Sequence, residues 1–312
     1  MHCDLGHSAF PLFLGSHYDR IYRLRNFQGG VIVVDWKQIP KIDAHIHLLP
    51  DDVIHANAGC DNPFVDNGGV GDYWKIMEAY NIESAFMMPF NDVYMLSMDF
   101  TIETVHRNLR QMTLVNPGKL KCFADIDIRK DIHQTLDELD RVLAQEGFIG
   151  IKLHPSNAGY PIDGQYYDQI LRYARDRNIL VEIHSYPREN LPDDVCAPCR
   201  IKNILNKYPG LRLSIAHLGG FQYEDFYGVN AYFNLSASLP DIVNRFGIEH
   251  ANQILRSIGV DKLVFATDYP DSRCLNANEI YDKYFEILGQ MDFTEKEARQ
   301  ICKDNALKMI NA

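Results

Sequence analysis

The stretch "KIDAHIHLLP", residues 41–50, places His45 and His47 two positions apart in an otherwise apolar run. Such a run predicts a β-strand, whose side chains alternate between its two faces. We therefore expect Asp43, His45 and His47 on one face of this strand and the apolar residues on the other. Neighbouring imidazoles suit a metal ion. A single HxH pair also fits partly buried histidines bound to carboxylates or backbone carbonyls.

Seven further stretches predict strands, and amphipathic segments that predict helices separate them. The strand stretches are "IESAFMMP" (82–89), "LKCFADID" (120–127), "FIGIKLHP" (148–155), "LVEIHSYP" (180–187), "LRLSIAHLGG" (211–220), "AYFNLSA" (231–237) and "KLVFATDYP" (262–270). Among the helical segments, residues 239–259 predict one long helix. Eight strand–helix repeats with apolar strands indicate a parallel sheet covered by helices.

Closure of this sheet into a (β/α)8 TIM barrel, a fold of the α/β class, is the favoured prediction. A doubly wound open sheet is the runner-up, but the chain lacks the Gly-rich loop that usually follows the first strand of that fold. We expect the barrel domain to span residues 39–312, after a short N-terminal extension of residues 1–38. The stretch "VIVVDW", residues 31–36, is expected to be an outer strand or an arm used in oligomerisation.

Composition narrows the class of partner. The chain of 312 residues carries a formal net charge of −11 and has no basic run, which argues against nucleic acid or an anionic membrane surface. No apolar run reaches the roughly 18 residues that span a bilayer. A small-molecule substrate is therefore expected, and a homo-oligomer stays open. The seven cysteines are scattered, and the N-terminus lacks the pattern of a secretion signal, so the sequence predicts a cytoplasmic protein.

Histidines gather where the predicted strands end. His45 and His47 lie at the end of the first predicted strand, His184 of the fifth, His217 of the sixth and Asp268 of the eighth. A barrel brings these ends together at the face that carries catalytic groups. Three imidazoles and a carboxylate suit one divalent ion, Zn²⁺ first, with Mn²⁺, Fe²⁺ or Co²⁺ also compatible. We assign His45, His47, His184 and Asp268 as the metal ligands.

The remaining strand-end residues suggest roles around that ion. His217 is expected to act as the general acid/base or to polarise a substrate carbonyl, and Asp268 to accept a proton from water as well as to bind the metal. Lys152 and His154, at the end of the fourth strand, are assigned to substrate binding. Two alternatives stay open: a carboxylated Lys152 that bridges a second metal, and a pair bonded to nearby carboxylates such as Glu182.

The connection after the first strand, residues 48–69, is long and rich in Asp, Asn, Gly and Pro. Long loops in compact domains are usually functional, so on a barrel this one is a candidate lid over the mouth.

The order and spacing of six motifs resemble one family. They are "DAHIH", "GIKLHP", "VEIHS", "AHLGG", "ATDYP" and "DNALKMI". Over residues 41–311 the chain resembles the amidohydrolase superfamily of metal-dependent (β/α)8 hydrolases, in particular the amidohydrolase 2 branch that includes aminocarboxymuconate semialdehyde decarboxylase. Position by position, the resemblance implies metal ligands at His45, His47, His184 and Asp268 and acid/base work at His217. Members of this branch commonly hold one metal ion.

Three functions follow from these residues. The favoured one is a metal-dependent hydrolase, in which a metal-activated water attacks an amide, lactone or ester bond of a small, carboxylate-bearing substrate. The alternative is a non-oxidative decarboxylase of a small unsaturated or aromatic acid, which should place an arginine at the mouth; Arg188 and Arg273 are the nearby candidates. The third is a metal-binding barrel without catalysis.

Overall fold

Eight short parallel strands form the centre of the molecule. The computed structural model describes residues 34–59, 63–89, 101–115, 117–186, 193–270 and 277–312. The strands are β1 Lys41–Ile46, β2 Ile82–Met87, β3 Leu120–Ala124, β4 Phe148–Leu153, β5 Leu180–Ile183, β6 Leu213–Ile215, β7 Tyr232–Asn234 and β8 Leu263–Val264. Each of the eight predicted strands is present, and each pairs in parallel with the next in chain order.

Helices cover the outside of this sheet. They are α1 Asp51–Ala56, α2 Pro63–Asn67, α3 Val70–Ala79, α4 Ile102–Val115, α5 Ile132–Leu143, α6 Pro155–Ala158, α7 Gln165–Asp176, α8 Pro198–Lys207, α9 Ser238–Phe246, α10 Ile248–Ile258, α11 Ala277–Gly289, α12 Glu295–Arg299 and α13 Asn305–Asn311. In the described part of the chain, none of them combines the length and apolarity needed to cross a membrane.

Hydrogen bonds join the last strand segment to the first. The backbone nitrogen of Ala44 donates to the carbonyl of Phe265 at 3.0 Å, and that of Asp268 donates to the carbonyl of His45 at 2.9 Å. This closure confirms the predicted (β/α)8 barrel, and the doubly wound alternative is wrong. It also brings the end of β1 beside the segment that follows β8.

Buried apolar side chains form two clusters around the strands of the barrel. A smaller cluster includes Ile42, Phe86, Phe123, Leu180 and Val264, one residue from each of five strands. A larger cluster lies between the outer strand faces and the helices. The buried polar residues Lys152, Glu182 and Asn234 lie in the second half of β4, β5 and β7, towards the C-terminal mouth.

One expectation for the first strand is wrong. Asp43 does not share a face with His45 and His47, because its carboxylate accepts hydrogen bonds from Thr267 Oγ1 at 2.6 Å and from the hydroxyl of Tyr281 in α11 at 2.7 Å. The pairing of β1 with β2 shifts register between Asp43 and Ile46. Such a bulge inserts one extra residue, which reverses the alternation of side chains beyond it.

The predicted helix over residues 239–259 is divided into α9 and α10. Gly247 lies between them with a φ of +82°. This left-handed conformation is accessible to glycine at little cost and is incompatible with a continuing α-helix.

The described parts of the connection after β1 contain α1 and α2. Its end is tied to the rest of the barrel, since the hydroxyl of Tyr269 donates to the carbonyl of Asn67 at 2.6 Å. A lid role for this connection stays a prediction. Of the predicted N-terminal extension, residues 1–33 lie outside the described residues; Trp36 is buried and packs edge-on against Phe293.

Candidate metal centre

Three of the four predicted ligands converge at the mouth of the barrel. Oδ1 of Asp268 lies 3.2 Å from Nε2 of His45 and 3.4 Å from Nε2 of His47. One ligand atom from each of the three residues lies within 4.8 Å of the others, and among the described residues no second group of this kind occurs. Two imidazole nitrogens and a carboxylate oxygen could therefore bind one ion.

The backbone around Asp268 holds its carboxylate in this position. Asp268 has a φ of +70°, in the left-handed region that aspartate tolerates better than most residues. Its backbone nitrogen donates to the carbonyl of His45, so the two predicted ligands are fixed to each other through the main chain. A non-glycine residue held with positive φ is a feature often found at functional sites.

The charge states suit metal binding. Burial alone would raise the pKa of Asp268, but the hydrogen bond from His47 and the adjoining imidazoles hold it well below its usual range. Burial, together with the charge of Lys152, lowers the pKa of His45 despite the opposing effect of Glu182. An ionised carboxylate beside a neutral imidazole is the protonation state that a metal ion requires of its ligands.

The fourth predicted ligand, His184, lies against two other histidines. Its Nδ1 is 3.0 Å from Nε2 of His217, and its ring stacks on that of His154 with centroids 3.8 Å apart. Burial and the neighbouring imidazoles keep the pKa of His184 well below its usual range, so its ring is neutral. His184 is not one of the three residues that converge, and its role as a ligand stays a prediction.

His217 is held from both sides. Its φ is +60°, and its backbone nitrogen donates to Oδ1 of Asn234 at 3.1 Å. Its Nδ1 lies 2.9 Å from the hydroxyl and 3.1 Å from the carbonyl oxygen of Ser236. Burial lowers the pKa of His217 to about 3, so the imidazole is neutral near neutral pH. Its acid/base role stays a prediction.

The turn after His217 depends on a close approach. Gly219 has a φ of +76°, and a Cβ built on it would lie 2.1 Å from the ring of Phe226. Glycine is therefore required here by both conformation and space. The sequence motif "AHLGG" is a tightly packed left-handed turn that fixes His217.

Lys152 and His154 both face the interior but contact different groups. Nζ of Lys152 lies 3.5 Å from Oε1 of Glu182, and both side chains are almost fully buried. Nδ1 of His154 accepts a hydrogen bond from the backbone nitrogen of Asn157 at the start of α6. The contact of Lys152 fits the alternative in which this pair is bonded to nearby carboxylates such as Glu182. Substrate binding by Lys152 and His154 stays a prediction.

Sequence reasoning named Glu182 only as a possible partner of Lys152 and His154, and it missed Ser214, Asn234 and Ser236, which also support the site. Glu182, Ser214, Asn234 and Ser236 are buried, and each hydrogen-bonds to a predicted site residue or to another member of this group. Position in the strand could have indicated Glu182, because it precedes His184 by two residues and so shares its strand face. The arginines considered for a decarboxylase, Arg188 and Arg273, lie outside the described residues.

A further buried carboxyl, that of Asp125, directly follows β3. Burial raises the pKa of Asp125 to about 7. Its backbone nitrogen donates to Nε2 of His106 at 3.0 Å, and Nδ1 of His106 lies 2.7 Å from Glu138. Asp125 was not among the predicted site residues, although its place at a strand end in "CFADID" was a signal.

Comparisons with known proteins agree with this architecture. The sequence model described as "Amidohydrolase" matches residues 42–311. No curated protein matches the chain. Solved structures with the same fold include a 2,6-dihydroxybenzoate decarboxylase from Rhizobium, at a TM-score of 0.64 and 15% sequence identity, covering 87% of this chain and 98% of that one.

Two further similar structures differ in their named reactions. One is a probable 2-pyrone-4,6-dicarboxylic acid hydrolase from Acinetobacter baumannii, with a TM-score of 0.64 and 18% identity over 87% of this chain and 99% of that one. The other is a 5-carboxyvanillate decarboxylase from Novosphingobium aromaticivorans complexed with manganese, with a TM-score of 0.65 and 15% identity over 88% and 97% of the two chains. At these identities the likeness establishes the fold. The family match over residues 42–311 shows that this chain belongs to the amidohydrolase 2 branch of the amidohydrolase superfamily, a family of enzymes.

Proposed function

We propose that the protein is a metal-dependent hydrolase that cleaves an amide, lactone or ester bond in a small, carboxylate-bearing molecule. The observation that carries the proposal is the convergence of His45, His47 and Asp268 at the barrel mouth. We propose His184 as the fourth ligand and one divalent ion as the cofactor.

The donor set supports this choice of cofactor. Imidazole nitrogens with a carboxylate oxygen suit Zn²⁺, and they also suit Mn²⁺, Fe²⁺ or Co²⁺. The similar 5-carboxyvanillate decarboxylase was complexed with manganese, so manganese is tested beside zinc. When bound, such an ion lowers the pKa of a coordinated water and polarises a substrate carbonyl.

Hydrogen bonds around His217 support His184 as a ligand. The carbonyl oxygen of Ser236 only accepts, so Nδ1 of His217 carries the ring proton. Because His217 is neutral, its Nε2 has a lone pair that accepts from Nδ1 of His184. His184 then keeps its proton on Nδ1 and presents the lone pair of Nε2 to an ion.

The same charge states favour hydrolysis over decarboxylation. The ionised carboxylate of Asp268 can accept a proton from water, which hydrolysis requires. Non-oxidative decarboxylation with His217 as the general acid requires His217 to donate a proton to the carbon that loses CO₂. Nδ1 of His217 donates to the carbonyl of Ser236 and Nε2 accepts from Nδ1 of His184, so neither nitrogen presents a proton to a substrate carbon.

The experiment combines metal analysis with a substrate panel. The purified protein is loaded with Zn²⁺ or Mn²⁺ and offered lactones, amides and esters, including 2-pyrone-4,6-dicarboxylic acid, beside 2,6-dihydroxybenzoate and 5-carboxyvanillate. Hydrolysis of a lactone, amide or ester supports the proposal. Release of CO₂ from an aromatic acid would replace it with the decarboxylase, and bound metal without turnover of any compound would favour a non-catalytic barrel.

We also propose a cytoplasmic location for the enzyme. The described cysteines, Cys122, Cys196, Cys199 and Cys302, are free thiols, as a reducing compartment permits.

Size-exclusion chromatography with light scattering would show whether the chain forms the homo-oligomer that the sequence leaves open.

A further inference from the structure

Glu182 lies at the centre of a buried polar layer beneath the candidate metal centre. Its side chain has no solvent exposure. Oε1 lies 2.6 Å from Nδ1 of His45 and 3.0 Å from Nδ2 of Asn234, and Oε2 accepts from the hydroxyl of Ser214 at 2.9 Å. A carboxylate removed from water is costly unless its oxygens receive hydrogen bonds, and here both oxygens do.

The contact with His45 determines which nitrogen of that imidazole can bind a metal. A carboxylate oxygen accepts and does not donate, so a separation of 2.6 Å places the ring proton of His45 on Nδ1. The lone pair of a neutral imidazole is then on Nε2. That nitrogen is the one that lies 3.2 Å from Asp268, on the side of the candidate metal centre.

Lys152 supplies the counter-charge for this carboxylate. Lys152 and Glu182 are directly paired across β4 and β5, and their charged atoms are 3.5 Å apart inside the barrel. A carboxylated Lys152 would replace the cation by an anion next to Glu182, and two like charges would then adjoin in a buried site. The geometry therefore disfavours the bridging lysine of a two-metal site.

We propose that Glu182 is a positioning residue that holds His45 in its metal-binding tautomer, and that Lys152 acts through Glu182 as its buried counter-ion. This inference rests on the proposed metal-dependent function. It assigns Lys152 to the support of the metal centre in place of direct contact with substrate.

A matched pair of variants tests the role of Glu182. Glu138 forms another buried carboxylate–histidine contact, with Oε1 2.7 Å from Nδ1 of His106, and neither residue is among the predicted ligands. Zinc affinity of the metal-free protein is measured by competition with a chromophoric chelator. Both oxygens of Glu182 receive hydrogen bonds, so in Glu182→Gln the amide nitrogen must face one of these donors and the remaining oxygen accepts without a charge. Glu182→Gln is therefore expected to weaken zinc binding about 10- to 100-fold, the usual effect of disturbing a partner that orients a ligating histidine. Glu138→Gln is expected to leave zinc affinity within about twofold of the wild type.

Substitution of Lys152 separates positioning from a purely structural role. Lys152→Met leaves Glu182 as an unbalanced buried charge, so the Tm of the metal-free protein should fall sharply. The double variant Glu182→Gln with Lys152→Met should regain part of that Tm, because both charges are gone, yet its zinc affinity should stay weak. Lys41→Met is the control, since the buried Lys41 donates to the carbonyls of Lys37 and Tyr80 and does not contact Glu182. The effects of Lys41→Met and Glu182→Gln on Tm should therefore add, with no recovery in the double variant.

The outcomes distinguish this inference from the proposed function. A wild-type protein that binds neither Zn²⁺ nor Mn²⁺ would overturn the proposed function. A wild-type protein that binds zinc, with Glu182→Gln binding it equally well, would overturn the positioning role alone. If the double variant Glu182→Gln with Lys152→Met regained both its Tm and its zinc affinity, the positioning role would also be overturned, because Glu182 would then matter only for folding.

Discussion

The hydroxyl of Tyr281 lies 2.7 Å from Oδ2 of Asp43 and joins α11 to β1 two residues before His45. The other oxygen of Asp43 accepts from the backbone nitrogen of Thr267 at 3.1 Å, next to Asp268. One buried carboxylate thus connects the backbone segments that carry two of the predicted metal ligands. Burial, which outweighs the hydrogen bonds from Thr267 and Tyr281, raises the pKa of Asp43 to about 7.

Removal of the Tyr281 hydroxyl tests this connection. Tyr281→Phe leaves an oxygen of Asp43 with one fewer donor in a buried site, and we expect a loss of about 1–3 kcal/mol in the free energy of unfolding. Urea denaturation measures it. Tyr160→Phe is the control, because the ring of Tyr160 is 47% exposed and the same chemical change there should cost less than about 0.5 kcal/mol. Equal costs for the two variants would contradict a stabilising role for the Tyr281 hydroxyl.

Asp268→Asn tests the carboxylate of the metal centre. Asparagine tolerates the left-handed backbone that Asp268 adopts, so the fold should persist while the charge is lost. Substituting a residue that only orients a metal ligand weakens metal binding by up to about 100-fold. Zinc affinity should fall by more than this in Asp268→Asn, since Asp268 is proposed to bind the ion itself. Chelator competition measures the affinity, and Asp176→Asn, at an exposed side chain on α7, serves as the control. Unchanged zinc binding in Asp268→Asn would remove Asp268 from the ligand set.

Gly219→Ala tests the turn that fixes His217. The added Cβ would meet the ring of Phe226 at 2.1 Å, in addition to the strain of a φ of +76°. Gly228 has a φ of +78° with no atom within 4 Å of the equivalent Cβ, so Gly228→Ala isolates the strain, about 1–2 kcal/mol. Gly219→Ala should cost about 1–3 kcal/mol more in unfolding free energy, because Phe226 must move. Similar losses for the two variants would show that contact with Phe226 is unimportant.

The Glu138 contact predicts a pH dependence of stability. Burial would raise the pKa of Glu138, but hydrogen bonds from His106 and Arg141 outweigh burial and lower it to about 2, from 4.5 for the free side chain. A group whose pKa is lower in the folded state stabilises the protein above the unfolded pKa and loses that effect as pH falls. The contribution should be complete above about pH 4.5 and lost progressively towards pH 2.

Urea midpoints at several pH values measure this contribution. The wild type should exceed Glu138→Gln in stability at pH 6, and the difference should shrink as pH falls from 4.5 to 2. A difference that stays constant over this range would show that the charge of Glu138 contributes nothing through His106 and Arg141.

Local patterns in the sequence determined the order of strands and helices. Each strand is a short apolar run, and the spacing of apolar residues marks the helices, so neighbouring residues suffice to predict both. The placement of His45, His184, His217 and Asp268 at strand ends also follows from local pattern. The parallel barrel then brings strand ends to one face, whichever residues they carry.

Tertiary structure alone decided which side chains meet. The bulge in β1 separates Asp43 from His45, and it depends on the register with β2 that no local pattern reveals. Glu182 of β5 meets His45 of β1, which lies far from it in the chain, and His184 meets His217 where the paired strands β5 and β6 end. Hydrogen bonds between groups far apart in the chain depend on the closed barrel, so the sequence named the candidate ligands, while packing added their buried supporting residues and assigned each of them its partner.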